Sequence, residues 1–103
     1  MLMPLLLAAA AAVLALSDTD KNDLRCVWVG MEAARLAESS EAKSLMMGMT
    51  YWFEGRLAGR HPDMLVQNYV IRKFTFAGLK ATDADLTFCA GTFSAWQERD
   101  IRG

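Results

Sequence analysis

The chain has 103 residues, 53% of them hydrophobic, with 11 basic and 12 acidic side chains, one histidine and two cysteines. That length holds one domain around one core and excludes a second catalytic domain. A net charge of −1 gives no overall attraction to nucleic acid or to an anionic membrane surface, so neither is expected as a partner.

The first element is apolar. Met1 to Leu16 carries no charged side chain, is too short to cross a bilayer comfortably as a helix, and is followed by the polar run Asp18-Thr19-Asp20-Lys21-Asn22-Asp23. It reads as the hydrophobic region of a secretory leader. Val13-Leu14-Ala15 and Ala15-Leu16-Ser17 each supply the small residues that a signal peptidase recognises. The expected organisation is a signal peptide over residues 1–17, cut between Ala15 and Asp18, then a single helical domain over 18–103 with a frayed tail from about 98. Neither cysteine ends the leader, so no stable membrane anchor is expected after its removal, and the product is expected to be periplasmic or secreted.

The first helix of the domain is predicted from about Asp23 to Glu38, capped by Asn22 or Asp20. Cys26, Gly30, Ala33, Ala34 and Ala37 give it a small-residue face, beside an apolar stripe of Leu24, Val27 and Met31. The second is predicted from Ser40 to Ala58, with Leu45, Met49, Trp52, Phe53 and Leu57 turned to the core. Gly59 and Pro62 end it. Pro62 suits the first position of a third helix, on which Leu65, Val66, Tyr69, Val70 and Phe74 recur before Gly78. The last turn of that helix, within Val70 to Phe76, is also β-prone. Thr82 and Asp85 form a capping-box pattern at the head of the fourth helix, where Leu86, Cys89, Phe93 and Trp96 share one face. This large aromatic face complements the small face of the first helix, which predicts that the first helix packs on the last.

In an oxidising compartment, Cys26 and Cys89 read as one disulfide. Closing a loop of about 64 residues stabilises a domain by roughly 4 kcal/mol on the chain-entropy model. A metal pair and two free thiols are the alternatives. The separation has no C-x-x-C spacing, and His61 alone adds little ligation, so no metal or cofactor is expected. The fold class is therefore all-α, a small bundle of about four helices closed by one disulfide.

Chemistry-bearing residues gather in the second helix. Gly48, Gly55 and Gly59 share a face with Trp52, and glycine inside a helix costs about 1 kcal/mol relative to alanine. The favoured explanation is that a neighbouring helix or the Trp52 ring packs on bare backbone; the other is a groove that admits a ligand or partner. Arg56 and Arg60 project from one side, with His61 next to them. Such a pair grips a carboxylate or phosphate bidentately, or else lies in solvent or pairs with a carboxylate such as Asp63 or Glu54. Gly48, Trp52, Gly55, Arg56, Gly59 and Arg60 thus form the candidate ligand or partner face. Met46, Met47 and Met49, with Met31 and Met64, raise thioether binding of Cu(I), but no His or Cys joins them at ligand spacing, and core filling is the stronger reading. With one histidine, no Gly-x-Ser-x-Gly and scattered carboxylates, no catalytic residue is assigned and no enzymatic activity is expected.

The leader, the early cysteine in an alanine-rich helix (Cys26 to Ala37), the aromatic-x-Gly-Arg-Leu-x-Gly-Arg centre (Phe53 to Arg60) and the late Cys89 together resemble a family of small exported bacterial proteins. That resemblance covers most of the chain after the leader and implies fold and location. A looser likeness, of architecture alone, is to the small periplasmic acid-stress chaperones. The expected function is a non-enzymatic periplasmic interaction or stress-protective protein with an unidentified protein partner. The alternative is a small binding protein for an anionic or apolar ligand at the glycine-lined face.

Overall fold

The computed structural model describes residues 16–75 and 80–102, which form helices and no strand. Helix α1 (Asp18–Leu36) starts five residues earlier than predicted. Ser17 Oγ accepts from the Asp20 backbone N–H at 3.1 Å, and the Asp20 carboxylate accepts from the Ser17 N–H at 3.1 Å. This reciprocal cap satisfies two backbone donors that a helix start would otherwise leave open. Its sequence signature overlaps the stretch expected to be the leader, residues 1–17. Leu16, next to Ser17, is buried in the core at 8% exposure. Residues 1–15, and with them the body of the expected leader, lie outside the described residues.

Helix α2 (Ser40–Arg60) is capped by Ser39, whose hydroxyl accepts from Ala42 N–H at 3.1 Å. Only residues 37–39 separate α1 from α2, and a connection this short makes the two helices antiparallel neighbours. Their interface is the most extensive among the described helices. Leu24, Val27 and Val29 from α1 meet Met49, Phe53 and Leu57 from α2 in one cluster, all nearly inaccessible. At the crossing, a Cβ on Gly30 would coincide with Thr50 Oγ1 and lie 3.3 Å from the Thr50 Cα. The small face of α1 therefore serves α2 as well as the last helix, and α2 takes the larger share. Leu45, predicted to face inward, is 56% exposed.

After a turn at Pro62 and Asp63, in which Met64 N–H donates to the His61 carbonyl at 3.0 Å, the third segment is shorter than predicted. It comprises a single α-helical turn, α3 (Val66–Val70), continued by a π-helical turn (Ile71–Thr75). The wider turn keeps Val66, Val70 and Phe74 all buried on the core side. Phe74 stacks on Trp28 of α1 with ring centres 5.1 Å apart, which anchors this segment. Leu65 points outward at 71% exposure, and Gly78, the predicted stop, lies outside the described residues.

Helix α4 (Asp83–Arg102) begins at the predicted capping box, with Thr82 Oγ1 and the Asp85 carboxylate each accepting a backbone N–H at 3.1 Å. It extends to Arg102, through Gln97-Glu98-Arg99, which are good helix formers. The Cys26–Cys89 disulfide pins it to α1, with the Cα atoms 5.5 Å apart and both cysteines buried. At the rim, Arg25 stands 3.8 Å from Asp85.

Candidate functional site

Two clusters bring the sequence-marked residues together. In the first, the antiparallel hairpin sets the start of α1 beside the end of α2. Asp20 and Asp23 are three residues apart and so share a face of α1; Arg56 and Arg60 are four apart and share one of α2. Both aspartates are buried, at 4% and 3% exposure. Arg60 donates through Nε to Asp20 at 2.6 Å and through a terminal nitrogen to Asp23 at 2.5 Å, while Arg56 Nε lies 3.5 Å from Asp23. His61 closes α2, its N–H donating to the Leu57 carbonyl at 2.7 Å, and its ring Nε2 sits 2.9 Å from Asp20. An ionised carboxylate only accepts, so Nε2 carries the proton.

This environment fixes the charge state of Asp20. The hydrogen bond from His61 outweighs the burial that opposes ionisation, and with those from Arg60 and Ser17 it holds the carboxyl far below the usual carboxylate range. Asp23 and Asp20 in turn keep Arg60 firmly protonated. The arginines thus meet Asp20 and Asp23 instead of the expected Asp63 or Glu54; Glu54 accepts from Gln67 at 3.3 Å. Ser17 Oγ bonds to the Asp20 backbone and not to the imidazole, so the Ser, His and Asp here do not form a nucleophile and base. No buried side-chain polar atom among the described residues lacks a partner. What this arrangement does chemically is lock α1 to α2; the Arg60 guanidinium is committed to that task, and Arg56 stands at its edge.

The glycines behave otherwise than the packing argument predicts. Gly48, Gly55 and Gly59 are exposed, and a Cβ at any of them would meet nothing within 4 Å. The tight helix approach lies instead at Gly30, which the glycine count in α2 had obscured. Opposite outcomes follow for two matched substitutions. Gly55→Ala removes backbone freedom from the unfolded chain and is expected to stabilise by about 0.5–1 kcal/mol. Gly30→Ala forces Thr50 and the α1/α2 crossing apart and is expected to cost about 2 kcal/mol. Urea-unfolding midpoints of the two variants, moving in opposite directions from that of the native chain, check both.

The second cluster lies where α4 meets α2. Trp52 contacts Phe53 at 4.8 Å, Phe93 at 5.4 Å and Trp96 at 5.1 Å between ring centres, and Phe93 and Trp96 stack at 5.7 Å. The Arg56 guanidinium rests 4.8 Å above the Trp52 ring. Phe53 is fully buried, but Trp52, Phe93 and Trp96 remain partly open to solvent. Tyr51 and Phe88, on the same two helices, are more than half exposed. Of the predicted face, Trp52 and Arg56 therefore belong to an aromatic seam, Arg60 belongs to the ionic joint, and the glycines line open helix surface. The contribution of α4 is legible in the spacing of Phe93 and Trp96 on one face, which meets Trp52 of α2 as well as serving the contact with α1 expected of it.

A groove of about 370 Å³ lies between the end of α1 and the start of α4, over Val29, Ala33 and Leu86 with Lys80 and Asp83 at its rim. Among the described residues, no three His, Cys, Asp or Glu side chains gather as metal ligands. Met49 is buried, and Met31, Met46 and Met64 pack against the core as apolar filling. Among the described residues, no helix is long and apolar enough to cross a membrane. Compared with known proteins by family model, by sequence and by structure, the chain gives no match.

Proposed function

We propose that this is a non-enzymatic, exported interaction or stress-protective protein that holds other proteins through the aromatic seam between α2 and α4. The observation that carries this reading is that Trp52, Phe93 and Trp96 form a contiguous cluster left partly open at the surface, with Arg56 over one ring. Tryptophan, tyrosine and arginine are the side chains that most often dominate binding energy at protein interfaces, because they bury large area while keeping a polar handle. A domain that needed these rings only for its core would be expected to cover them. The ionic joint favours this reading over capture of a small anion, since Arg60 and Arg56 already face Asp20 and Asp23.

Aggregation of a reduced or acid-unfolded client protein, followed by light scattering, tests it. The native chain is expected to suppress scattering at near-stoichiometric ratio. Trp96→Ala is expected to weaken suppression several-fold while its circular dichroism stays helical, and Leu65→Ala, at an exposed apolar site outside the two helices that carry the seam, is expected to leave it unchanged. Equal suppression by all three chains removes the seam from the function. Absence of suppression together with catalytic turnover overturns the proposal.

A further inference from the structure

We infer that the seam prefers partner segments in which a carboxylate stands beside an apolar or aromatic side chain, and that Arg56 is the residue that selects the carboxylate; this rests on the reading of the seam as the surface that holds proteins. Arg56 belongs to both clusters. Its Nε lies 3.5 Å from Asp23, and its guanidinium carbon lies 4.8 Å from the centre of the Trp52 ring. Arg60 makes short hydrogen bonds to both Asp20 and Asp23, whereas the approach of Arg56 to Asp23 is a looser Coulombic contact. Arg60 therefore satisfies the aspartates, and most of the five N–H donors of Arg56 are not spent on them.

Exposure sets which charge a partner meets. The Asp23 side chain is 5% exposed and that of Arg56 34%, so a segment laid on the seam reaches the guanidinium before the carboxylate behind it. Glu54, two residues before Arg56 and thus on another side of α2, donates nothing to the seam's charge and is engaged by Gln67. The open rings of Trp52, Phe93 and Trp96 are thereby edged by a cation held in place by a ring and an ion. A guanidinium fixed in this way grips a carboxylate through its planar fork with little further loss of freedom. One partly exposed guanidinium holds a bare anion only weakly in water. The charge counts when an adjoining apolar side chain covers the rings and excludes solvent, which is why the preferred segment carries both groups together.

Short synthetic peptides sharing a Leu-Phe-Leu core, flanked by two glutamates, two glutamines or two lysines, decide the matter. They are titrated with the native chain, its disulfide intact, and followed by anisotropy of a dye on the peptide. The glutamate peptide is expected to bind about five- to tenfold more tightly than the glutamine peptide, and the lysine peptide most weakly. Arg56→Gln is expected to erase the difference between the glutamate and glutamine peptides, while Arg56→Lys, which keeps the charge without the fork, retains the order with a smaller ratio. A substitution that only loosened the fold would weaken all three peptides alike and leave the ratio intact. Equal binding of the glutamate and glutamine peptides by the native chain, tightest binding of the lysine peptide, or a glutamate preference that survives in Arg56→Gln each overturns the inference and leaves the seam reading standing. Binding of none of the three by the native chain overturns the seam reading itself, and the inference falls with it.

Discussion

Replacing Cys26 or Cys89 by serine is expected to cost about 4 kcal/mol, the value that loop closure over this separation gives. A domain of this size has only on the order of 5–10 kcal/mol in total. With an unfolding entropy of about 2 cal/mol/K per residue, the loss corresponds to a fall in Tm of roughly 20 °C. The damage should also be uneven. The α1/α2 hairpin keeps its extensive interface and its ionic joint, whereas α4 is left with Leu86, Phe93 and Trp96 and a loose Arg25–Asp85 contact. Hydrogen exchange of Cys26→Ser is therefore expected to show α4 unprotected before α1 and α2. The native chain, denatured without reductant, is expected to yield no reactive thiol; two thiols per chain would refute the assignment.

Asp20→Asn is expected to destabilise the domain by about 2–3 kcal/mol at neutral pH. Breaking a buried ion pair costs roughly 3–5 kcal/mol, and the partial exposure of Arg60, 37% for its side chain, brings the figure below that range. The acid limb of the stability curve carries the sign. Because the folded-state pKa of Asp20 lies below its unfolded value, the contribution is complete above the ordinary carboxylate pKa and disappears as pH falls through the folded value. The native chain is thus expected to lose stability progressively from about pH 5 downward, while Asp20→Asn starts lower and follows a flatter course. Urea titrations at pH 7, 5 and 3 measure both limbs. Parallel curves would show that the joint contributes no linkage.

Local patterns with a backbone meaning were readable from the residues. The Thr82 capping box and the helical spacing of Met49, Phe53 and Leu57 stand where periodicity puts them, and Cys26 pairs with Cys89 as two cysteines in an oxidising compartment imply. Features that depend on which surfaces meet were not. Exposed and buried glycines look alike in a string of letters, so Gly30, pressed on Thr50, drew less notice than Gly55, which faces open space. Asp20 and Asp23 resemble solvated polar residues because their partners lie 37 to 41 positions away. The Ser17 cap escaped the pattern for a different reason: the apolar run expected to be a leader and the start of α1 meet at Leu16 and Ser17, and burial and the cap become visible only in the fold.

The Trp52–Trp96 contact also has an optical consequence. Two indole rings held 5.1 Å apart and tilted by 37° couple their electronic transitions, so the pair should give an exciton couplet in the ultraviolet dichroism spectrum. Trp28 stacks on Phe74 and has no part in that pair. The couplet therefore reads the docking of the last helix on α2, and its loss on titration with a reductant, a client protein or acid can be followed without attaching a label.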